Sequence, residues 1–118
     1  MADDTEPARL AWERLADELD AEESDVARGR MMSADALTAG GKVFCFYSTK
    51  GGAIGLGARL GRDYPFEGLE LSEWQHLAPF KTRPPMRDWI VTTHADVDRW
   101  PVIALEALRI NRLARKTS

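Results

Sequence analysis

The run "KVFCFYS", Lys42 to Ser48, constrains the fold more than any other part of this sequence. Every residue from Val43 to Tyr47 is apolar or aromatic. A strand covered on one face alternates apolar and polar side chains, so an unbroken run needs cover on both faces. On a regular strand Val43, Cys45 and Tyr47 face one way, and Phe44 and Phe46 the other. Helices can cover the first face. The second needs a further layer or another copy of the chain, which makes Phe44 and Phe46 candidate interface residues.

The next segment, "STKGGAIGLGARLG", has the glycine density of a phosphate-gripping loop but not its grammar. A phosphate loop places its glycines between a strand and a helix start, and a Walker motif ends in Gly-Lys-Ser/Thr. Here Lys50 precedes the glycines, and Leu60 stands where a third dinucleotide-motif glycine belongs. "TKGG" instead reads as a hairpin connection. After it Ile54, Leu56, Ala58 and Leu60 alternate with Gly55, Gly57, Arg59 and Gly61, the period of a half-buried strand. The small residues on one face of that strand can admit another backbone closely.

Helices bracket these strands. In "TEPARLAWERLADELDAEE", Ala8, Trp12, Leu15 and Leu19 recur on one face of a 3.6-residue period. In "DVDRWPVIALEALRINRLARK", Trp100, Ile103, Ala107, Ile110 and Ala114 form the core stripe, with Asp98 as N-cap and Pro101 in the first turn. Leu105 and Leu108 fall to another side and are candidate contact residues. Arg109, Arg112, Arg115 and Lys116 suit the C-terminal end of the helix dipole. Further strands are expected over Val26–Met32 and "MRDWIVTTH". "EWQHLAPF" reads as an edge strand or, capped by Ser72, a short helix. "TAGG" is a turn. Strands grouped between two helices imply an α+β class, with an antiparallel sheet of about four to five strands flanked by an N-terminal and a C-terminal helix.

A chain of 118 residues suits one domain, residues 1–118. No stretch is long and apolar enough to span a bilayer, and the acidic start lacks a secretory signal, so no membrane association is expected. A single cysteine, Cys45, fits a reducing compartment, and a cytoplasmic location is expected. Charge is uneven. Residues 1–25 carry ten acidic side chains against Arg9 and Arg14, and the remainder is mildly basic. The acidic run reads as a solvated helix face.

Nothing in the sequence signals catalysis. Cys45 lies mid-strand, where burial raises a thiol's pKa and leaves it inert. His76 and His94 lack zinc-ligand spacing. His94, Asp96 and Asp98 can in principle meet a cation, but Asp98 is better placed as a cap. No catalytic, cofactor or metal residues are assigned. For nucleic acid, Lys81, Arg83 and Arg87 lie near Phe80 and Trp89, and Arg28 and Arg30 join them if the two segments meet in space. A third possibility is a small-ligand pocket near Trp74, His76 and Trp89.

"GRMM" (Gly29–Met32), "GKVFCF" (Gly41–Phe46), the strand ending "GARLG" and "RPPMRDWIVT" before a closing helix resemble the TfoX N-terminal domain family and the related MmcQ/YjbR-like proteins. The resemblance spans residues 8–114, with Met32 and Ser33 in place of the family's usual Phe-Gly. It implies a compact α+β fold similar to type III secretion chaperones, a bacterial cytosolic protein, frequent homodimers and, in some members, a transcription-related or DNA-binding role. It brings no catalytic residues. The expectation is therefore a non-enzymatic interaction or regulatory module acting as a homodimer or on a protein partner. A nucleic-acid-binding domain is the alternative, and a small-ligand binder or enzyme the third.

Overall fold

The computed structural model describes residues 6–31, 34–49, 54–78, 84 and 86–117. Helix α1 (Glu6–Glu22) opens the fold. Strands β1 (Val26–Met31), β2 (Ala34–Ala39), β3 (Lys42–Ser48), β4 (Gly55–Arg59), β5 (Trp74–Leu77) and β6 (Met86–Thr93) follow, and α2 (Trp100–Thr117) closes it. Short 3-10 turns at Phe66–Leu69 and His94–Arg99 precede β5 and α2. The strands form one antiparallel sheet in the order β1-β2-β3-β4-β6-β5. The class is α+β, as the sequence implies, but the sheet has six strands. The additional one is β2, "ADALTA", whose alanines and aspartate carry little strand propensity. It forms because a two-residue turn folds it onto β3. Ala39 pairs with Lys42, while Gly40 and Gly41 take φ of 59° and 82°. That double positive φ is the mark of a type I′ hairpin. Among the described residues no helix is long and apolar enough to cross a membrane.

Both helices lie on one face of the sheet. Trp12, Leu15 and Leu19 of α1 and Trp100, Ile103, Ala107 and Leu108 of α2 are buried with Leu37, Cys45, Tyr47, Leu56, Ala58 and Ile90. Trp12 stacks on Tyr47, with ring centroids 6.2 Å apart. A second, smaller cluster occupies the opposite face, where Phe46, Trp89, Val91, Leu77 and Ala36 are all buried. Segment 43–47 thus has both faces covered, as its unbroken apolar run requires. The glycines of β4 are scaffold. Phe46 lies so close over its cross-strand partner Gly57 that a Cβ there would stand 2.2 Å from the ring. Backbone does approach at Gly55, where a Cβ would come within 2.0 Å of the Thr92 carbonyl oxygen. The expected "TKGG" turn lies mostly outside the described residues, but β3 and β4 pair antiparallel as a hairpin demands.

One irregularity changes the reading of the central strand. The β2–β3 register steps from Leu37–Cys45 to Thr38–Val43, leaving Phe44 without a partner. This β-bulge shifts the alternation by one residue. Phe44 turns to the helix face, only 1% exposed, and Val43 packs toward the other cluster beside Phe46. Phe44 and Phe46 therefore do not share a face, and Phe44 has no surface to offer a partner.

Ion pairs tie the acidic N-terminal segment to the rest of the chain. Arg28 of β1 donates to Glu13 and Asp17 of α1, at 3.2 and 2.9 Å. Arg112 of α2 grips Asp25 through two nitrogens, at 3.1 and 2.7 Å, and reaches Glu23 at 2.7 Å. Arg115 adds a 2.6 Å bond to Asp25. Hydrogen bonds from Arg112 and then Arg115 hold the Asp25 carboxyl far below the usual carboxylate range. So the acidic run is not merely a solvated face, and Arg112 and Arg115 do more than complement a dipole. They clamp the α1–β1 turn to the end of α2.

Candidate functional site

The β3–β4 ladder ends beside the bulge. The β3–β4 ladder runs from Ser48–Gly55 to Cys45–Ala58 and stops. Continued in register, Phe44 would face Arg59 and Lys42 would face Gly61. Instead the strands part, and cavities lie on both sides of the fork. On the outer side is a broad groove of about 620 Å3, lined by Lys42, Val43, Arg59, Arg62, Met86, Arg87, Asp88 and Trp89. On the helix side is a smaller cavity of about 160 Å3, lined by Lys42, Val43, Phe44, Arg59, Gly61, Ala107, Ile110, Asn111 and Ala114.

The groove is cationic. Lys42 begins β3, Arg59 ends β4, Arg62 lies three residues beyond, and Arg87 is near the start of β6. All four are exposed, against a single carboxylate among the described residues, Asp88, which Arg59 approaches at 3.8 Å. Lys42, Arg62 and Arg87 have no ion-pair partner among the described residues. Like charges gathered in a concave surface focus the potential and draw an anion. Leu60 and Gly61 fix the fork by donating their amides to the Asp88 carbonyl, both at 3.0 Å.

Of the basic residues singled out from the sequence, Arg87 alone among those described lies in the groove. Arg28 and Arg30 lie on β1 at the far edge of the sheet, with β2, β3 and β4 between them and β6. Arg28 faces α1 and its acids, so the two segments do not form one rim. Lys81 and Arg83 lie outside the described residues. Lys42, Arg59 and Arg62 escaped sequence reasoning because they are scattered among apolar positions. The signal that finds them is hairpin register, since pairing Cys45 with Ala58 brings Lys42 toward Gly61 and Arg62.

The remaining candidates disperse. Leu105 is 50% exposed, but Leu108 is 1% exposed in the helix-side core. The later position is turned one step, about 60°, nearer the core stripe. Trp74 and His76 stand with Phe66 on the helix side at the sheet edge, and Trp89 packs edge-on to Phe46 on the other side. The expected pocket among Trp74, His76 and Trp89 does not assemble. His76 Nδ1 lies 3.1 Å from the Trp89 carbonyl oxygen, a link along the β5–β6 pair. Burial pushes the Cys45 thiol well up.

Asp96 is structural. Its carboxylate accepts from the amides of Ser72 and Glu73 at 2.7 and 2.9 Å and from the Thr92 hydroxyl at 3.0 Å. Burial alone would push this carboxyl up, but these hydrogen bonds outweigh it and hold it low. Asp98 does not cap α2. The Thr93 hydroxyl accepts from Ala95 N ahead of the 3-10 turn that leads into the helix. Among the described residues no group of three or more His, Cys, Asp or Glu side chains is placed to hold a metal ion. No family model, curated protein or solved structure matches the chain.

Proposed function

We propose that the protein is a non-enzymatic binding module for an anionic ligand, held in the groove of Lys42, Arg59, Arg62 and Arg87. The observation that carries this reading is the gathering of cations in one concave place. The bases that face α1 or the α1–β1 turn, namely Arg28, Arg112 and Arg115, are neutralised by Glu13, Asp17, Glu23 and Asp25. Lys42, Arg62 and Arg87, without such partners among the described residues, collect in one concave place. A cytoplasmic regulatory role of the kind implied by the TfoX and YjbR resemblance is compatible with such a module. The test is titration at low ionic strength with pyrophosphate and with labelled oligothymidine, followed by tryptophan fluorescence and by anisotropy. Binding of either, weakening with added salt and lost in a Lys42→Gln, Arg87→Gln double variant, is the expected result. Silence from both probes at low salt refutes the reading.

A second reading is a homodimer through α2, favoured by a different observation. Val102, Leu105 and Leu113 are 56%, 50% and 50% exposed. At the angular step of an α-helix they lie within about 80° of one another around its axis. The Glu106–Arg109 ion pair, 2.7 Å, lies on the same face. That face offers an acid and a base between apolar residues, so it complements a second, antiparallel copy of itself. Light scattering checks it. A dimer that Leu105→Glu dissociates is expected, and a monomer at high concentration overturns it.

A further inference from the structure

The ligand's chemistry can be narrowed by the small cavity behind the groove. The two share Lys42, Val43 and Arg59, the residues of the fork, so the helix-side cavity opens beside the cationic surface. Its lining is apolar apart from the fork residues and Asn111, and Asn111 is occupied. The Asn111 amide donates to the Ala39 carbonyl at 3.3 Å, and its oxygen accepts from Arg115 Nε at 2.8 Å. Behind the fork cations Lys42 and Arg59 no further side chain is left to read a hydrogen-bonding edge, which disfavours a nucleobase and suits a plain hydrocarbon. The cavity holds about 160 Å3. Apolar cavities of about 150 Å3 accept a benzene ring.

We propose that the site takes a small amphipathic anion. Its phosphate or carboxylate head meets Lys42, Arg59, Arg62 and Arg87, and a single aromatic ring or short branched chain enters the fork against Phe44, Ala107, Ile110 and Ala114. This rests on the anion-binding reading above and adds to it the apolar half of the ligand. The bulge explains why both halves exist together. Turning Phe44 inward gives the cavity its aromatic wall, and ending the β3–β4 ladder at Cys45 opens the way in.

The experiment compares three probes on the intact chain: inorganic phosphate, phenyl phosphate and oligothymidine. Phenyl phosphate is expected to bind roughly 30-fold more tightly than inorganic phosphate, the gain from burying one ring. Ala114→Phe, on an exposed helical position lining the cavity, fills the space. It is expected to erase that gain while leaving phosphate binding intact. If Ala114→Phe disturbs folding, Ile110→Ala enlarges the same cavity and shifts preference toward a bulkier aryl phosphate such as naphthyl phosphate. Equal affinity for phosphate and phenyl phosphate overturns the amphipathic ligand while leaving the cationic groove standing. Tight oligothymidine binding with no preference for phenyl phosphate assigns the groove to nucleic acid instead, and overturns it as well. If none of the three binds, both readings fall.

Discussion

Replacing Gly57 by alanine tests the packing that underlies the groove. A Cβ at that position would stand 2.2, 2.6 and 2.7 Å from Cε1, Cζ and Cδ1 of Phe46. Carbon atoms in comfortable contact lie about 3.5–4.0 Å apart. The ring must therefore move by roughly 1 Å to regain that separation, and it has little room. Phe46 is 5% exposed and meets Trp89 edge-on, with centroids 5.5 Å apart. Overpacking of this kind costs about 1–3 kcal/mol, and disturbing the aromatic pair up to about 1 kcal/mol more. Alanine restricts the unfolded chain more than glycine does, which returns about 0.4–1 kcal/mol. The net expectation for Gly57→Ala is a loss of about 1–3 kcal/mol, or a fall in Tm of roughly 5–10 °C. Urea unfolding followed by tryptophan fluorescence measures it. Phe46→Leu supplies the control, because it removes the ring that the methyl strikes. In that background Gly57→Ala is expected to be nearly neutral, a coupling of about 1–3 kcal/mol in the double-mutant cycle. Additive losses would show that the glycine answers to something other than Phe46, and an unchanged Tm would refute the close approach itself. Trp89 lines the groove, so the single variant is also expected to weaken anion binding, and Phe46→Leu is expected to restore part of it.

Three further outcomes follow from named contacts. Asp25→Asn is expected to cost about 1–2 kcal/mol at neutral pH. The value is kept low because the Arg112 side chain is 41% exposed to screening water. The Asp25 carboxyl is depressed in the folded state, so its contribution is present above its unfolded pKa and fades as pH falls through the folded one. The stability gap between wild type and variant should close in acid, and a gap that widens there would contradict the clamp. Trp12 and Trp100 are equally buried, but Trp100 Nε1 donates to the Thr93 carbonyl at 3.2 Å, while Trp12 Nε1 has no partner among the described residues. Trp12→Phe should therefore destabilise by about 1–3 kcal/mol less than Trp100→Phe in urea unfolding, and the reverse order would refute that assignment. Cys45 is fully buried, so an aromatic disulfide reagent should label it only at the rate at which the native chain unfolds. Fast labelling of the native protein would contradict that burial.

What the sequence carried plainly was periodicity. The stripe of Ala8, Trp12, Leu15 and Leu19 and the apolar run at 43–47 appear in the fold buried as expected, whereas β4, whose alternation predicts a half-buried strand, is buried on both faces from Gly55 to Ala58. What it concealed was of two kinds. Strand β2 is held by a turn and by its neighbours, so "ADALTA" carries no local sign of it. The bulge leaves no mark in residue type either, since Phe44 and Phe46 look equivalent until the Leu37–Cys45 and Thr38–Val43 pairs separate them. The site inherits that second difficulty. Its cations come from three strands and a loop, and only strand register brings them together. Basic residues close in sequence, such as Arg28 and Arg30, lie apart from this groove. Arg28 is committed to α1, and the edge strand that carries both is remote from β6.

The bulge also suggests why a binding site belongs at this end of the sheet. Regular pairing of Phe44 with Arg59 would close the fork, return Phe44 to the outer face and leave α2 packed on an unbroken ladder. The observed arrangement forgoes those ladder hydrogen bonds at β3 and β4 and sets four like charges around the opening. Both features oppose folding, and neither is needed to cover the sheet, which Phe46, Trp89 and Val91 already close on the outer side. An anion in the groove would relieve the charge repulsion, and an apolar group in the fork would supply the packing that the parted strands lack. The same ligand would thus stabilise the chain by mass action, so a rise in Tm with phenyl phosphate concentration should accompany binding. In Lys42→Gln, Arg87→Gln the unliganded protein should be as stable as wild type or more so, because the repulsion is reduced. A double variant that loses stability without ligand would mean that these cations hold the fold together, and the argument that they serve a ligand would fail.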